Sequence, residues 1–172
     1  MDFRNRYVRL YWPISFFGIH LLPTVFVFLG CLPLYPALAS AAPPRTLGIW
    51  DLIAALVTVL AIWYEMTADN QLRRFLLSRK TKGQLLKSGL WAYSRHPNYF
   101  GEVLFWWGLY LFGVAADRTY YWTIIGPISI TVLFFSVSIP MINKRMLQTK
   151  PGYEKEIESR SGIVPWPASR HD

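Results

Sequence analysis

Arg95, His96, Asn98, Tyr99 and Glu102 crowd around a single proline in the run Ser94-Arg95-His96-Pro97-Asn98-Tyr99-Phe100-Gly101-Glu102. Proline is favoured at the first position of a helix, so Pro97 predicts a helix N-terminus. Free backbone N–H groups and the helix dipole favour anions at such an end. Arg95 and His96 stand just before it and would add charge-assisted hydrogen bonds to phosphate or carboxylate. One turn along, Asn98 and Glu102 share a face of an otherwise apolar helix, and a carboxylate in that setting points to a functional site. The structural alternative is a cap with Glu102 paired to Arg73 or Arg95.

Two further groups have usable chemistry. Glu65, Asp69 and Arg73 are spaced i, i+4, i+8 and so form one polar stripe on a helix, with Gln71 and Arg74 off it. Asp69 and Arg73 are therefore candidate ligand-binding residues, the alternative being a ladder of ion pairs worth a few tenths of a kcal/mol each. The tail from Lys144 to Arg160 mixes charges with Met146, Leu147, Tyr153 and Ile157. It reads equally as an amphipathic surface segment or as a lid over a ligand.

The elements that must position these residues are membrane spans. The chain has 172 residues, 53% hydrophobic and only 16% charged, where soluble domains run near 25% charged. Four mainly apolar runs approach the roughly 20 residues a spanning helix needs: about 12–34, 47–66, 97–115 and 120–143. A soluble globular protein is excluded. The second run has no Gly or Pro up to Phe75, so its helix is expected to continue beyond the membrane to about residue 77. A kink is expected at Pro23, and 34–46, broken by Pro36, Pro43 and Pro44, reads as a short loop. The expected fold is an all-α, multi-pass bundle forming one membrane domain with an amphipathic tail, 144–172.

The net charge of +8 is mostly an orientation signal. Sixteen of the 18 Lys and Arg fall on one side of the four spans. This predicts cytoplasmic termini and a cytoplasmic 73–95 segment, and it removes the case for nucleic acid. A cleavable signal peptide ending near Ala42 is disfavoured, because the apolar run exceeds the usual 7–15 residues or so. Cys31 is the single cysteine and reads as a small buried hydrophobe. His20 reads as a packed or inter-helix hydrogen-bonding residue. No metal site is expected from three dispersed His and one Cys.

The run Ser94 to Glu102 resembles the DUF1295 membrane proteins, which group with the steroid 5-alpha-reductase C-terminal domain and the sterol reductases. Glu65, Ala68-Asp69, Gln71-Leu72 and Phe75 upstream extend the resemblance, as do Ile139-Pro140, Pro151-Gly152-Tyr153 and Val164-Pro165-Trp166 downstream. It implies a helical bundle that binds NADPH from the cytoplasm and reduces an activated carbon–carbon double bond in a lipid or steroid-like substrate. By the same resemblance, Asp69, Arg73, Arg95, His96, Asn98, Tyr99, Glu102 and Tyr153 would bind the cofactor. A Gly-x-Gly-x-x-Gly run after a strand is absent, so the cofactor site would not be a Rossmann site.

Members with reductase chemistry are longer, with N-terminal helices supplying an acidic residue and a tyrosine that polarise the substrate carbonyl. This chain starts near what would be the middle of such a protein, so no proton donor is assigned, and self-assembly or a partner subunit is an expectation. Asn143 stands where the family pattern has Glu, and Glu156 where it has a second Tyr. Isoprenylcysteine and phospholipid methyltransferases, which bind S-adenosylmethionine, share Arg-His-Pro-x-Tyr-x-Gly and give the alternative reading; a non-catalytic membrane subunit is the third. The expected location is a bacterial inner membrane, or the endoplasmic reticulum in a eukaryote.

Overall fold

The computed structural model describes residues 11–39, 46–78 and 83–167. Arg4, Arg6, Arg9, Arg45, Arg79, Lys80 and Lys82 of the charge asymmetry, residues 40–42 of the cleavage-like stretch and the end of the tail lie outside them. Among the described residues, four helices are long and apolar enough to cross a membrane: α1 (Trp12–Cys31), α3 (Ile49–Ser78), α4 (Pro97–Ala116) and α5 (Arg118–Thr149). The described residues also form two short α-helices, α2 (Leu34–Ala39) and α6 (Tyr153–Ser159), and a 3-10 turn at Gly89–Ala92. The all-α membrane architecture expected from the apolar runs is therefore the one observed, and α3 does run on past the apolar stretch.

Two expectations change in detail. The 34–46 stretch is not all loop, because Leu34–Ala39 closes a helical turn with Pro36 buried in it. The disturbance in α1 lies ahead of Pro23 as a π-helical segment, Phe16–Leu21. The same device recurs in α5, where Phe134–Ser138 is π-helical just before Pro140. A proline lacks the N–H for its helix bond and crowds the carbonyl four residues back. Widening to an i→i+5 pattern lets the helix continue through it.

The seam between α3 and α4 fixes the frame. Ala54, Ala61 and Ala68 are fully buried at intervals of seven residues, two helical turns. Gly101 and Gly108 repeat the same interval on α4 and face Glu65 and Thr58. A methyl group on Gly101 would stand 2.8 Å from the Glu65 backbone nitrogen. Small residues let the two backbones touch, which is how helices associate where lipid supplies no hydrophobic drive. On α1, which packs chiefly on α5, His20 is exposed rather than packed. Among the described residues its side chain forms no hydrogen bond to another helix.

Beyond α5 the chain turns back. Gly152 takes a left-handed conformation (φ 77°), which glycine adopts without steric cost, and α6 then leads into a strand-like return. The Arg95 N–H donates to the Ser161 carbonyl (3.0 Å), and the Trp166 N–H to the Tyr93 carbonyl (3.0 Å). Ile163 is 1% exposed, seated among Ile130, Phe134 and Ile139. The tail is thus anchored by core burial as well as by backbone bonds.

Candidate functional site

Pro97 does begin α4, with His96 at its N-cap and its carbonyl accepting from the Tyr99 and Phe100 N–H groups at 3.1 and 3.4 Å. This seats the His96 ring inside: the residue is 6% exposed, and its ring stacks on Tyr99 at 5.4 Å. Tyr99 in turn packs on Phe134 at 4.7 Å. Burial, then the adjacent Arg95 charge, push the His96 pKa down to about 4, with the Asn143 side chain acting the other way. The imidazole is therefore neutral at physiological pH, one nitrogen donating and one accepting. Its Nε2 is buried without a hydrogen-bond partner among the described residues. Leaving such an atom unsatisfied costs about 1–3 kcal/mol, so the position suits a ligand atom.

Neighbouring side chains are tightly held. Arg95 donates through Nη1 to Asn143 Oδ1 (2.9 Å) and through Nε to the Arg160 carbonyl (3.2 Å). Asn143 Oδ1 also accepts from the Tyr153 hydroxyl at 3.0 Å. Glu156, 5% exposed, pairs with Lys87 and, at 2.7 Å, with Arg160. Arg160 Nη1 donates to the Trp91 carbonyl at 2.8 Å. Trp91 Nε1 reaches the Ala68 carbonyl at 2.9 Å, and Gln71 Oε1 receives the Leu90 N–H at 2.9 Å. The 89–92 turn is thus clamped to α3 on one side and to the tail on the other.

These elements enclose a cavity of about 230 Å³ at the end of the bundle. One wall is apolar, from Leu72, Phe75 and Leu76 on α3 with Leu85 and Leu86 of the following segment. Across from it stand Trp91, Arg95, His96 and Tyr99, and the tail contributes Lys150, Tyr153, Glu156 and Arg160. The tail thus contributes to the lining of the cavity.

Of the residues singled out from sequence, Arg95, His96, Tyr99 and Tyr153 come together on this cavity. Asp69 and Arg73 are exposed on α3 and do not line it; Asn98 and Glu102 are half-buried on α4, also off it. Glu65, Asp69 and Glu102 sit near enough to interact electrostatically. Among the described residues no ion pair joins Asp69 to Arg73, or Glu102 to Arg73 or Arg95, so neither the ion-pair ladder nor the paired cap forms. No metal-binding group of His, Cys, Asp or Glu occurs among the described residues.

Asn143 and Glu156, noted in the sequence only as departures from a pattern, turn out to be the two hubs. The available signal was position: Asn143 ends a charge-free run that begins at Thr119, placing an amide in the last turns of a span.

The family model of DUF1295, described as a protein of unknown function, matches residues 1–158. An uncharacterized protein of Schizosaccharomyces pombe is 30% identical over 144 residues, which is 73% of this chain and 42% of that relative. The chain thus spans less than half the length of that curated relative. No solved structure matches. With the match covering nearly the whole chain, and the Arg95-His96-Pro97 helix start seated as described, the protein belongs to the DUF1295 family, of the steroid 5-alpha-reductase-like group.

Proposed function

We propose that this chain is the cofactor-binding part of a membrane-embedded, NADPH-dependent reductase acting on a carbon–carbon double bond in a lipid or steroid-like substrate. The observation that carries the reading is the buried, unpartnered Nε2 of His96 on the cavity wall at the N-terminus of α4. Beside it, Arg95 has no carboxylate partner among the described residues. A helix N-terminus with a free imidazole nitrogen and an arginine suits a phosphate. Trp91, Tyr99 and Phe75 on the walls offer flat faces for the rings of a dinucleotide.

In this reading Arg95 and His96 bind the phosphates and Tyr153 closes the site from the tail. The family resemblance adds Asp69, Arg73, Asn98 and Glu102 as the ligands of the parts that reach beyond the cavity. NADPH, when bound, supplies the hydride; the protein orients it and keeps water out. The charge asymmetry of the sequence supports a cavity mouth on the cytoplasmic side, where NADPH is available. One observation favours a smaller cofactor: Asp69 and Arg73 stand off the cavity, and S-adenosylmethionine in a methyltransferase would not need them.

Thermal unfolding of the detergent-purified protein, titrated with NADPH and separately with S-adenosylmethionine, distinguishes the readings. At a hundredfold excess over Kd, a ligand that binds the folded state adds about 2.7 kcal/mol of stability. Stabilisation by NADPH is the expected result. A response to S-adenosylmethionine alone would replace the reductase with the methyltransferase, and a response to neither would leave a non-catalytic subunit.

A further inference from the structure

Among the described residues α1 is the span least covered by its neighbours, with 6% of its apolar stretch buried against 17% to 28% in the other three. Its C-terminal half meets the bundle through Phe26, packed against the cluster of Ile130 and Phe134, and through Gly30, set against Ile130 and Trp106. Thr24 and Phe28 each come two residues before one of these, about 200° round the helix, and so face the other way. With His20 they form a stripe at i, i+4, i+8, and all three are exposed. His20 stands about 12 Å along the helix from Trp12, at hydrocarbon depth. An imidazole keeps at least one N–H donor in either charge state, and lipid tails offer it no acceptor. The His20 side chain finds none among the described residues. Thr24 has the opposite need. Its hydroxyl proton is committed to the His20 carbonyl at 2.7 Å, which leaves its oxygen free only to accept.

A donor without an acceptor and an acceptor without a donor thus lie one turn apart on a single lipid-facing stripe. We infer that this stripe is the contact between two copies of the chain, in which the His20 N–H of each copy donates to the Thr24 hydroxyl oxygen of the other. A two-fold contact is self-complementary, so both bonds form together. His and Thr side chains join spans in this way where lipid gives no hydrophobic drive. Phe16 and Phe28, one turn beyond on either side and both exposed, supply the flanking contact. A helix of another sequence would have to bring both groups at the same spacing; a second copy has them by identity. None of these residues lines the cavity, so the inference goes beyond the cofactor reading and does not depend on it.

The full-length protein, labelled in separate pools with a donor and an acceptor fluorophore, is reconstituted in phosphatidylcholine vesicles, and energy transfer is followed as the lipid-to-protein ratio is raised. Wild type is expected to dimerise. His20→Leu, which suits lipid but cannot donate, is expected to weaken the dimer about tenfold, the worth of two interhelical hydrogen bonds. Thr24→Val should weaken it equally, and the double variant no further, because the same interaction is removed each time. His20→Gln keeps an N–H donor and is expected to retain most of the association. The stripe faces away from the core, so the unfolding temperature of each variant in dilute detergent should stay at the wild-type value; a lower value would trace the lost association to the fold and overturn the inference. A monomeric wild type overturns it too. So does a dimer that His20→Leu leaves intact, one that His20→Gln weakens as much as His20→Leu, or losses that add in the double variant.

Discussion

Arg95, His96 and Tyr99 are interleaved in sequence with Asn98 and Glu102 around Pro97, yet the two halves of the run end in different surroundings. The first three are enclosed beneath α6 and the returning tail. Asn98 and Glu102, with Asp69 and Arg73, stay off the cavity on the same α3–α4 pair. Both halves are placed by the same seam of small residues, so the helices alone do not account for the difference. The tail does. By covering one half it lowers the effective dielectric there and strengthens every charge interaction beneath it.

Breaking the shared frame should have the largest effect. Gly101→Leu would force a side chain into the Glu65 backbone, and overpacking of that kind costs about 3 kcal/mol or more. Thermal unfolding in detergent would register it, and both halves of the site should be lost together. Persistence of NADPH binding in this variant would mean that the seam does not position the site.

Enclosure also gives the first half a pH signature. The His96 pKa lies at about 4 in the folded protein against an ordinary 6.5, so between these values the unfolded chain binds the proton more readily. Stability should be complete above about pH 6.5 and fall as the pH drops towards 4, by up to about 3 kcal/mol. His96→Gln should flatten that slope, as read from unfolding midpoints across the range. An unchanged slope would place His96 outside the closed environment.

The tail is what makes the halves differ, so loosening it should erode the contrast. Glu156→Ala leaves Arg160 and the more exposed Lys87 without their carboxylate. Removing one partner of a buried pair costs about 3–5 kcal/mol, and the exposure of Lys87 lowers the expectation to about 2 kcal/mol. Limited proteolysis after residue 150 should accelerate, while the α3–α4 pair stays protected.

The comparison can be sharpened at its own level by paired substitutions. His96→Ala should weaken NADPH at least tenfold, the loss of a buried hydrogen bond to a charged group. Arg73→Ala, on an exposed helix face, should weaken it by about threefold at most. Equal losses would mean that the two halves act as one site.

The contrast also marks how far sequence reasoning reaches. Pro97 as the start of α4 was legible because proline has a positional preference, and the four spans were legible because apolar length is a one-dimensional property. The seam was harder to see: Ala54, Ala61 and Ala68 recur every seven residues inside a run where almost every residue is apolar, so no contrast announces the buried face. Enclosure was not legible at all. It depends on the Ser94 to Ser161 pairing and on Ile163 reaching the core, contacts between segments far apart in the chain. For the same reason Asn143 and Glu156 registered only as odd residues, since a hub is defined by what converges on it.

Hydrogen–deuterium exchange with and without saturating NADPH tests the central claim most directly. The account expects slowed exchange in 84–99 and 142–163, the segments that build the enclosed half, with a smaller change in 65–75. Protection confined to 65–75 and 98–105, with the tail unaffected, would contradict it.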